Sequence, residues 1–442
     1  MTTRETAWRR LRVLLTSERI MAHNLIVGGG TIIAGLLGVA FQSVFSHRLQ
    51  PAEYGAVFAV VSLITLVGLP ASAFTLVMAR ETSRDRATGE YVASTTLLRK
   101  GNLALVLTGI GMAIAIVVLS PFLAQFLMVP ISLLVAAAVG IPFSLALPLL
   151  IGELQGQQRF LMLSTISVGQ AGLKLVSALL LGAVWGAFGI IAGISVATVA
   201  IYLAALLMVS SKLSLKTDLL WFRSAATYLG VVMPSTLALA VLLSTDVLLV
   251  KHFFPTRLAG EFAAVAALGR AIFWGASAIA IVLFPKIVFQ RAQGKSGSHL
   301  VGLSLLLVAI GGLAGLAVVG FGSHWLLIAF AGSAYAEVAG YLPWYGLGMI
   351  MLGGAAVLIA THQSRGKAGF LALLLPLTLL EPVLLWNFHQ NLSQVILVVD
   401  VSMAFVFGGL GALYVFQRPV EAGGQVPVLT NPSSASNMAG VR

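Results

Sequence analysis

His47-Arg48-Leu49-Gln50-Pro51-Ala52-Glu53-Tyr54-Gly55 closes one long apolar run and opens the next. Later in the chain Lys251-His252-Phe253-Phe254-Pro255-Thr256-Arg257-Leu258-Ala259-Gly260 does the same, a charged and proline-marked break followed by a small-residue helix. Setting Gly55 against Gly260 divides the apolar runs into six spans and six spans. Each run approaches or exceeds the ~20 residues a helix needs to cross ~30 Å of hydrocarbon. An even number of spans per half gives both halves the same orientation, which makes them parallel repeats. The predicted fold class is an all-α integral membrane protein: twelve transmembrane helices in two six-helix lobes related by a pseudo-two-fold along the membrane normal.

Composition points the same way. Hydrophobic residues make up 59% of the chain and charged residues 9%, against about 25% charged in soluble domains. Of the 26 Lys and Arg, all but Arg48, Lys174, Lys251, Arg257 and Arg270 fall in the two tails and in every second loop. That asymmetry is the positive-inside signature and predicts cytoplasmic termini. The net charge of +12 then serves anionic headgroups, and no nucleic-acid partner is expected. The absence of cysteine excludes disulfides, thiolate metal sites and Cys nucleophiles. No cleavable signal peptide is expected, because the first apolar run lacks a small-residue cleavage site at its end.

The expected organisation is a basic cytoplasmic tail over 1–23, an N-terminal lobe over 24–209 and a cytoplasmic linker over 210–225. A C-terminal lobe over 226–416 and a disordered cytoplasmic tail over 417–442 follow. Trp8, Leu11 and Leu15 recur at helical spacing among arginines, which reads either as an amphipathic helix on the inner leaflet or as a plain basic tail. Outward loops are short, and no HExxH, GxSxG or P-loop pattern occurs, so no enzyme is expected.

The Arg48-Leu49-(x2)-Ala52-Glu53-Tyr54-Gly55 turn resembles a recurrent signature of bacterial polysaccharide flippases. So do the Asp246 to Lys251 end of span seven and the Leu268-Gly269-Arg270 and Leu283-Phe284-Pro285 elements of span eight. These flippases belong to the multidrug/oligosaccharidyl-lipid/polysaccharide exporter superfamily, and the resemblance covers most of Asn24 to Phe416. It implies translocation of an undecaprenyl-diphosphate-linked oligosaccharide from the inner to the outer leaflet of a bacterial inner membrane. Glycosyltransferases and a polysaccharide polymerase are the implied partners. A drug or metabolite antiporter of the same superfamily, and a lipid II flippase, are the alternatives.

Ionisable groups inside a bilayer normally face a cavity or a partner. Lys174 in span five shares a face with Ser167, Gln170 and Ser177, which reads as the wall of a wet cavity or as polar helix-packing contacts. Arg270 in span eight is flanked at helical spacing by Ala266, Ala267, Trp274 and Ser277. A guanidinium beside a Trp suits a diphosphate next to a sugar, and an ion pair between helices is the alternative. Arg48 and Arg80 end spans one and two, either at the cavity mouths or snorkelling to the interface. Span one carries Gly28, Thr31, Gly35, Gly38 and Gln42 on one face, expected to pack closely against a neighbour. Asp246, Glu381 and Asp400 lie at one depth in spans seven, eleven and twelve. They are expected to converge on a coupling Na⁺ or H⁺, the alternatives being that each acid points separately at interfacial water or that Asp246 pairs locally with Lys251. No other cofactor is expected. Mid-depth cations at Lys174 and Arg270 favour an anionic substrate over a cationic drug.

Overall fold

The computed structural model describes residues 28–89, 92–210, 222–292, 298–365 and 368–417. The tail over 1–23 with Trp8, Leu11 and Leu15, most of the 210–225 linker, and the tail beyond Gln417 lie outside the described residues. So do the side chains of Ser277, Leu283, Phe284 and Pro285. Among the described residues all regular structure is helical, and eleven helical segments are long and apolar enough to cross a membrane.

One of those segments, Phe160–Val209, holds two spans. Gly186 breaks it with φ 57° and ψ −138°, a conformation that a residue with a side chain reaches only under strain. The chain reverses there: Ser177 Oγ donates to the Gly193 carbonyl at 2.8 Å across the hairpin. Twelve spans result. They are α1 (Gly28–Arg48), α2 (Pro51–Arg86), α3 (Ser94–Leu127), α4 (Ile131–Gly156), α5 (160–185) and α6 (187–209) in the first lobe. The second lobe holds α7 (Tyr228–Phe253), α8 (Thr256–Ala292), α9 (His299–Ala331), α10 (Ser333–Ser364), α11 (Ala368–Asn387) and α12 (Leu392–Phe416). The protein is a multi-pass membrane protein of two six-helix lobes.

Lipid tails are as apolar as leucine, so helices associate through close packing and through polar side chains bonded to neighbouring backbones. Thr75 of α2 donates to the Pro148 carbonyl of α4 at 2.9 Å, and Ser195 of α6 donates to the Ala136 carbonyl of α4 at 2.7 Å. At one end of α4 the Glu153 carboxylate accepts from the Thr82 hydroxyl, and Arg86 donates to the Gln157 carbonyl. A 3₁₀ turn over Leu69–Ser72 divides α2, and a break at Leu243–Ser244 divides α7.

The lobes meet along α2 and α8. A methyl added to Gly55 would stand 2.7 Å from Gly260 Cα, and one added to Gly260 would collide with the Pro51 carbonyl. Residues equivalent in the repeat therefore touch each other, as residues beside a two-fold axis must. The same register sets His47 against His252 and Phe126 against Ala331. Around the Gly55–Gly260 contact, Ser46 of α1 donates to the Phe330 carbonyl of α9 at 3.1 Å. His252 Nδ1 of α7 donates to the Phe126 carbonyl of α3 at 2.8 Å, with its ring stacked 4.0 Å from that of Phe126. These two cross-lobe bonds are near-mates under the pseudo-two-fold. They close the seam at the Pro51 end.

Candidate functional site at the lobe seam

About 15 Å along α8 from Gly260, Arg270 turns into the seam, its side chain 10% exposed. The break at Leu243–Ser244 restarts α7 so that Asp246 falls in the first turn of a new helical segment. There Asp246 Oδ1 accepts from Arg270 Nη2 at 2.6 Å and from the Val247 N–H at 2.7 Å. Tyr345 of α10 donates its hydroxyl to Asp246 Oδ2 at 2.6 Å and accepts from Arg270 Nε at 3.2 Å. Gly269 makes room for this tyrosine, because a methyl there would run into its ring. From the opposite lobe, Arg270 Nη1 lies 3.5 Å from Ser62 Oγ, and its guanidinium sits 5.4 Å from the centre of the Phe58 ring. The first lobe thus covers the arginine with one long hydroxyl contact and an aromatic face, while the second holds it by charge.

Glu381 of α11 is fully buried within electrostatic reach of Asp246 and Arg270, and neither of its oxygens has a hydrogen-bond partner. Two acids therefore lie about one arginine. An ion pair taken out of water is favourable only with good geometry and further hydrogen bonds. Arg270–Asp246–Tyr345 meets that condition and Glu381 does not.

The sequence placed Asp246 in a cation site and Arg270 in an anion site; the structure makes them partners. It also corrects the alternative in which Asp246 pairs with Lys251. Lys251 lies about 140° around the helix from Asp246, 1% exposed, its Nζ without a hydrogen-bond partner. Of the three acids expected to converge, Glu381 lies within electrostatic reach of Asp246 but forms no hydrogen bond with it among the described residues. Asp400 lies against α10 at Gly348, where an added methyl would stand 2.5 Å from its Oδ1, and it is not grouped with the other two.

Lys174 is half-buried between α5 and α1, its ammonium 4.4 Å from the centre of the Phe41 ring. Its expected polar stripe is divided: Gln170 is half-buried, while Ser177 turns into α6 as a packing contact. Trp274, about one turn beyond Arg270, is 52% exposed and meets Phe273 edge-on at 5.0 Å. Arg48 is exposed at the Pro51 end. Arg80 is exposed at the opposite end, 4.0 Å from Glu81 and 5.2 Å from the centre of the Tyr228 ring of α7.

The glycine face of α1 departs from expectation. Among the described residues, a methyl at Gly28, Gly35 or Gly38 would meet nothing within 4 Å. The exposed aliphatics Ile32, Ile33, Leu36 and Val39 lie on another side of the helix, about 110° away, so large residues and small ones occupy separate bare faces. Gln42, on the glycine side, accepts from Tyr54 OH at 3.2 Å, so that side faces the protein near the Pro51 end and opens away from it. The sequence reading missed Tyr345, Ser62, Phe58 and Tyr228, all neutral. A tyrosine hydroxyl in the middle of an apolar span, which needs a partner, was the available signal.

No family model matches the chain, and no curated protein matches it. Among solved structures it is similar to an inward-facing multidrug resistance MATE family transporter of the MOP superfamily. That match has a TM-score of 0.68 at 12% identity, over 89% of this chain and 96% of the other. It is similar also to the MATE multidrug transporter DinF-BH, with a TM-score of 0.68 at 17% identity over 89% and 95%. The lipid II flippase MurJ in an inward closed conformation gives a TM-score of 0.65 at 13% identity over 88% and 87%. At these identities the likeness is one of fold.

Proposed function

We propose that this chain is a transporter of the MOP superfamily that carries an undecaprenyl-diphosphate-linked oligosaccharide from the inner to the outer leaflet of a bacterial inner membrane, for cell-surface polysaccharide biosynthesis. The observation that carries the reading is Arg270: a fixed, buried cation at mid-depth on the seam between two lobes. A guanidinium offers five donors in a planar fork that matches phosphate oxygens. Among the described residues Nη1 has only its 3.5 Å contact with Ser62, so donor capacity remains. In this reading the Pro51 end faces outward and both termini are cytoplasmic.

The route for the lipid follows from a broken symmetry. The repeat pairs the α7–α2 contact with an α1–α8 contact. On the first side Thr236 of α7 donates to the Pro70 carbonyl of α2 at 3.3 Å. On the second, among the described residues, Gly28, Gly35 and Gly38 of α1 have open space beside them, and Trp274 and Gly275 of α8 are exposed. A prenyl tail remaining in the bilayer while its headgroup reaches Arg270 needs such a side opening, and Trp274 at its edge offers a face to a sugar.

Asp246 and Glu381 supply the coupling. Asp246 competes with a diphosphate for Arg270, so a proton or Na⁺ taken up by the two acids releases the arginine to the substrate. A cation biases the cycle only by binding one state better than the other, and the exchange of Arg270 between Asp246 and phosphate provides that difference. The test is export of surface polysaccharide with the amount of membrane protein measured alongside. Arg270→Ala abolishes export at normal protein levels, and Arg270→Lys retains a part, keeping charge but losing the fork. Full export by Arg270→Ala overturns the reading. The two acids near one cation equally suit a cation-coupled drug antiporter. That reading predicts drug efflux lost in Glu381→Gln, with polysaccharide export untouched.

A further inference from the structure

We infer that Lys251 is a second anion-binding residue, sealed in the closed seam at the Pro51 end and presented to the diphosphate when that seam parts. The inference rests on the transport reading above and extends it to the exit step. The register that sets Gly55 against Gly260 sets Lys251 against Ser46. Ser46 uses that position to bond across the seam to the Phe330 carbonyl. In the second lobe the cross-seam bond passes to the neighbouring His252, which holds the Phe126 carbonyl at 2.8 Å. Lys251 is left in the seam position, its Nζ without a hydrogen-bond partner among the described residues.

Its surroundings agree. Asp246, Arg270 and Tyr345 occupy the side of α7 that faces the second lobe. Lys251 lies about 140° round from Asp246, on a helix segment that also packs against α2 and α3 of the first lobe. Its side chain is 1% exposed and Nζ has no hydrogen-bond partner, whereas its neighbours His252 and Asp246 are both bonded. An ammonium enclosed without a carboxylate or a carbonyl is unfavourable, so the closed seam works against itself at this point. Parting the lobes relieves that cost by admitting water, and an arriving diphosphate relieves it further. Arg270 at mid-depth and Lys251 nearer the Pro51 end then form two successive stations for one anion.

The chain has no cysteine, so Lys251→Cys places a sole thiol at the seam. In phosphatidylcholine nanodiscs a membrane-impermeant maleimide should label it slowly. Labelling should become about tenfold faster once Ser46→Ala and His252→Ala remove the two cross-lobe hydrogen bonds. In that loosened background, inorganic pyrophosphate binding is measured by calorimetry. Lys251→Met should weaken it about tenfold, the loss of one charge-assisted contact, and Lys251→Arg should preserve it. Equal pyrophosphate affinity for lysine and methionine, or a thiol that stays unlabelled when the seam is loosened, overturns the inference. So does loss of the lysine dependence on adding phosphatidylglycerol to the nanodiscs, because the site then belongs to bilayer headgroups. Should Lys251→Met fail to accumulate, the labelling arm and Lys251→Arg still decide. The two readings fail separately: Arg270→Ala tests transport of the anion, while Lys251→Met in the loosened background tests only the exit station.

Discussion

Replacing Asp246 with asparagine keeps the shape of the side chain and removes the charge to which Arg270 and Tyr345 are bonded. Breaking a buried pair from one side strands the other ion, at a cost of about 3–5 kcal/mol. Asp246→Asn should therefore lower the thermal unfolding temperature in detergent sharply. Arg270→Met combined with Asp246→Asn should recover much of the loss, because neither member of the pair is then left charged without the other; a double variant no more stable than the single one would count against the pair. Each charge was legible in the sequence, since a lone Arg or Asp in an apolar run announces itself. Their pairing was not. Lys251 stands nearer to Asp246 along the chain than Arg270 does, but the two lie about 140° apart on one helix, and which cation the carboxylate meets is set by how α7 packs against α8. Tyr345 was less legible still, because a phenol carries no charge to betray it.

Among the helices, α1 and α2 answer opposite demands with the same residue type. Gly55 exists for close approach, since its missing side chain is what lets α2 touch α8 at Gly260. The glycines of α1 have open space beside them. Gly55→Val should lower the unfolding temperature, whereas Gly38→Leu should leave stability within about 0.5 kcal/mol, as surface substitutions do. In the transport reading Gly38→Leu should nonetheless impair export by narrowing the bare side of α1. A stability loss in Gly38→Leu equal to that of Gly55→Val would show α1 packed after all. Helical periodicity identified the glycine face of α1 but not its surroundings: a small-residue stripe reads alike whether a helix or an opening lies opposite. The number of spans was legible throughout. Even the α5–α6 hairpin, continuous as helix on either side of Gly186, was separable because its length exceeds any single crossing.

For the whole molecule, the charge asymmetry predicts that reporters fused near Arg84, Lys216, Arg291 and Arg365 register as cytoplasmic, with those near Pro51, Pro255 and Asn391 outside. An outside signal at Lys216 would reverse one lobe against the other and remove the parallel repeat. The two-lobe plan was readable because it is written in hydropathy and loop charge, which extend over the whole chain. The seam was not, because its bonds run to the Phe330 and Phe126 carbonyls, and a carbonyl carries no sequence signature.

The Gly55–Gly260 contact carries one more consequence. In a symmetric dimer of identical chains, the patch on one subunit meets the same patch on the other, which is an isologous interface. The two lobes, different in sequence, meet in just that way, with near-mate bonds on either side of a pair of equivalent glycines. Each half thus presents to the other the surface that a homodimer presents to itself. The linker between them therefore sets stoichiometry more than geometry. Its covalent continuity is what allowed the two seam positions to diverge into a serine and a lysine, an asymmetry that a dimer of one gene product could never acquire.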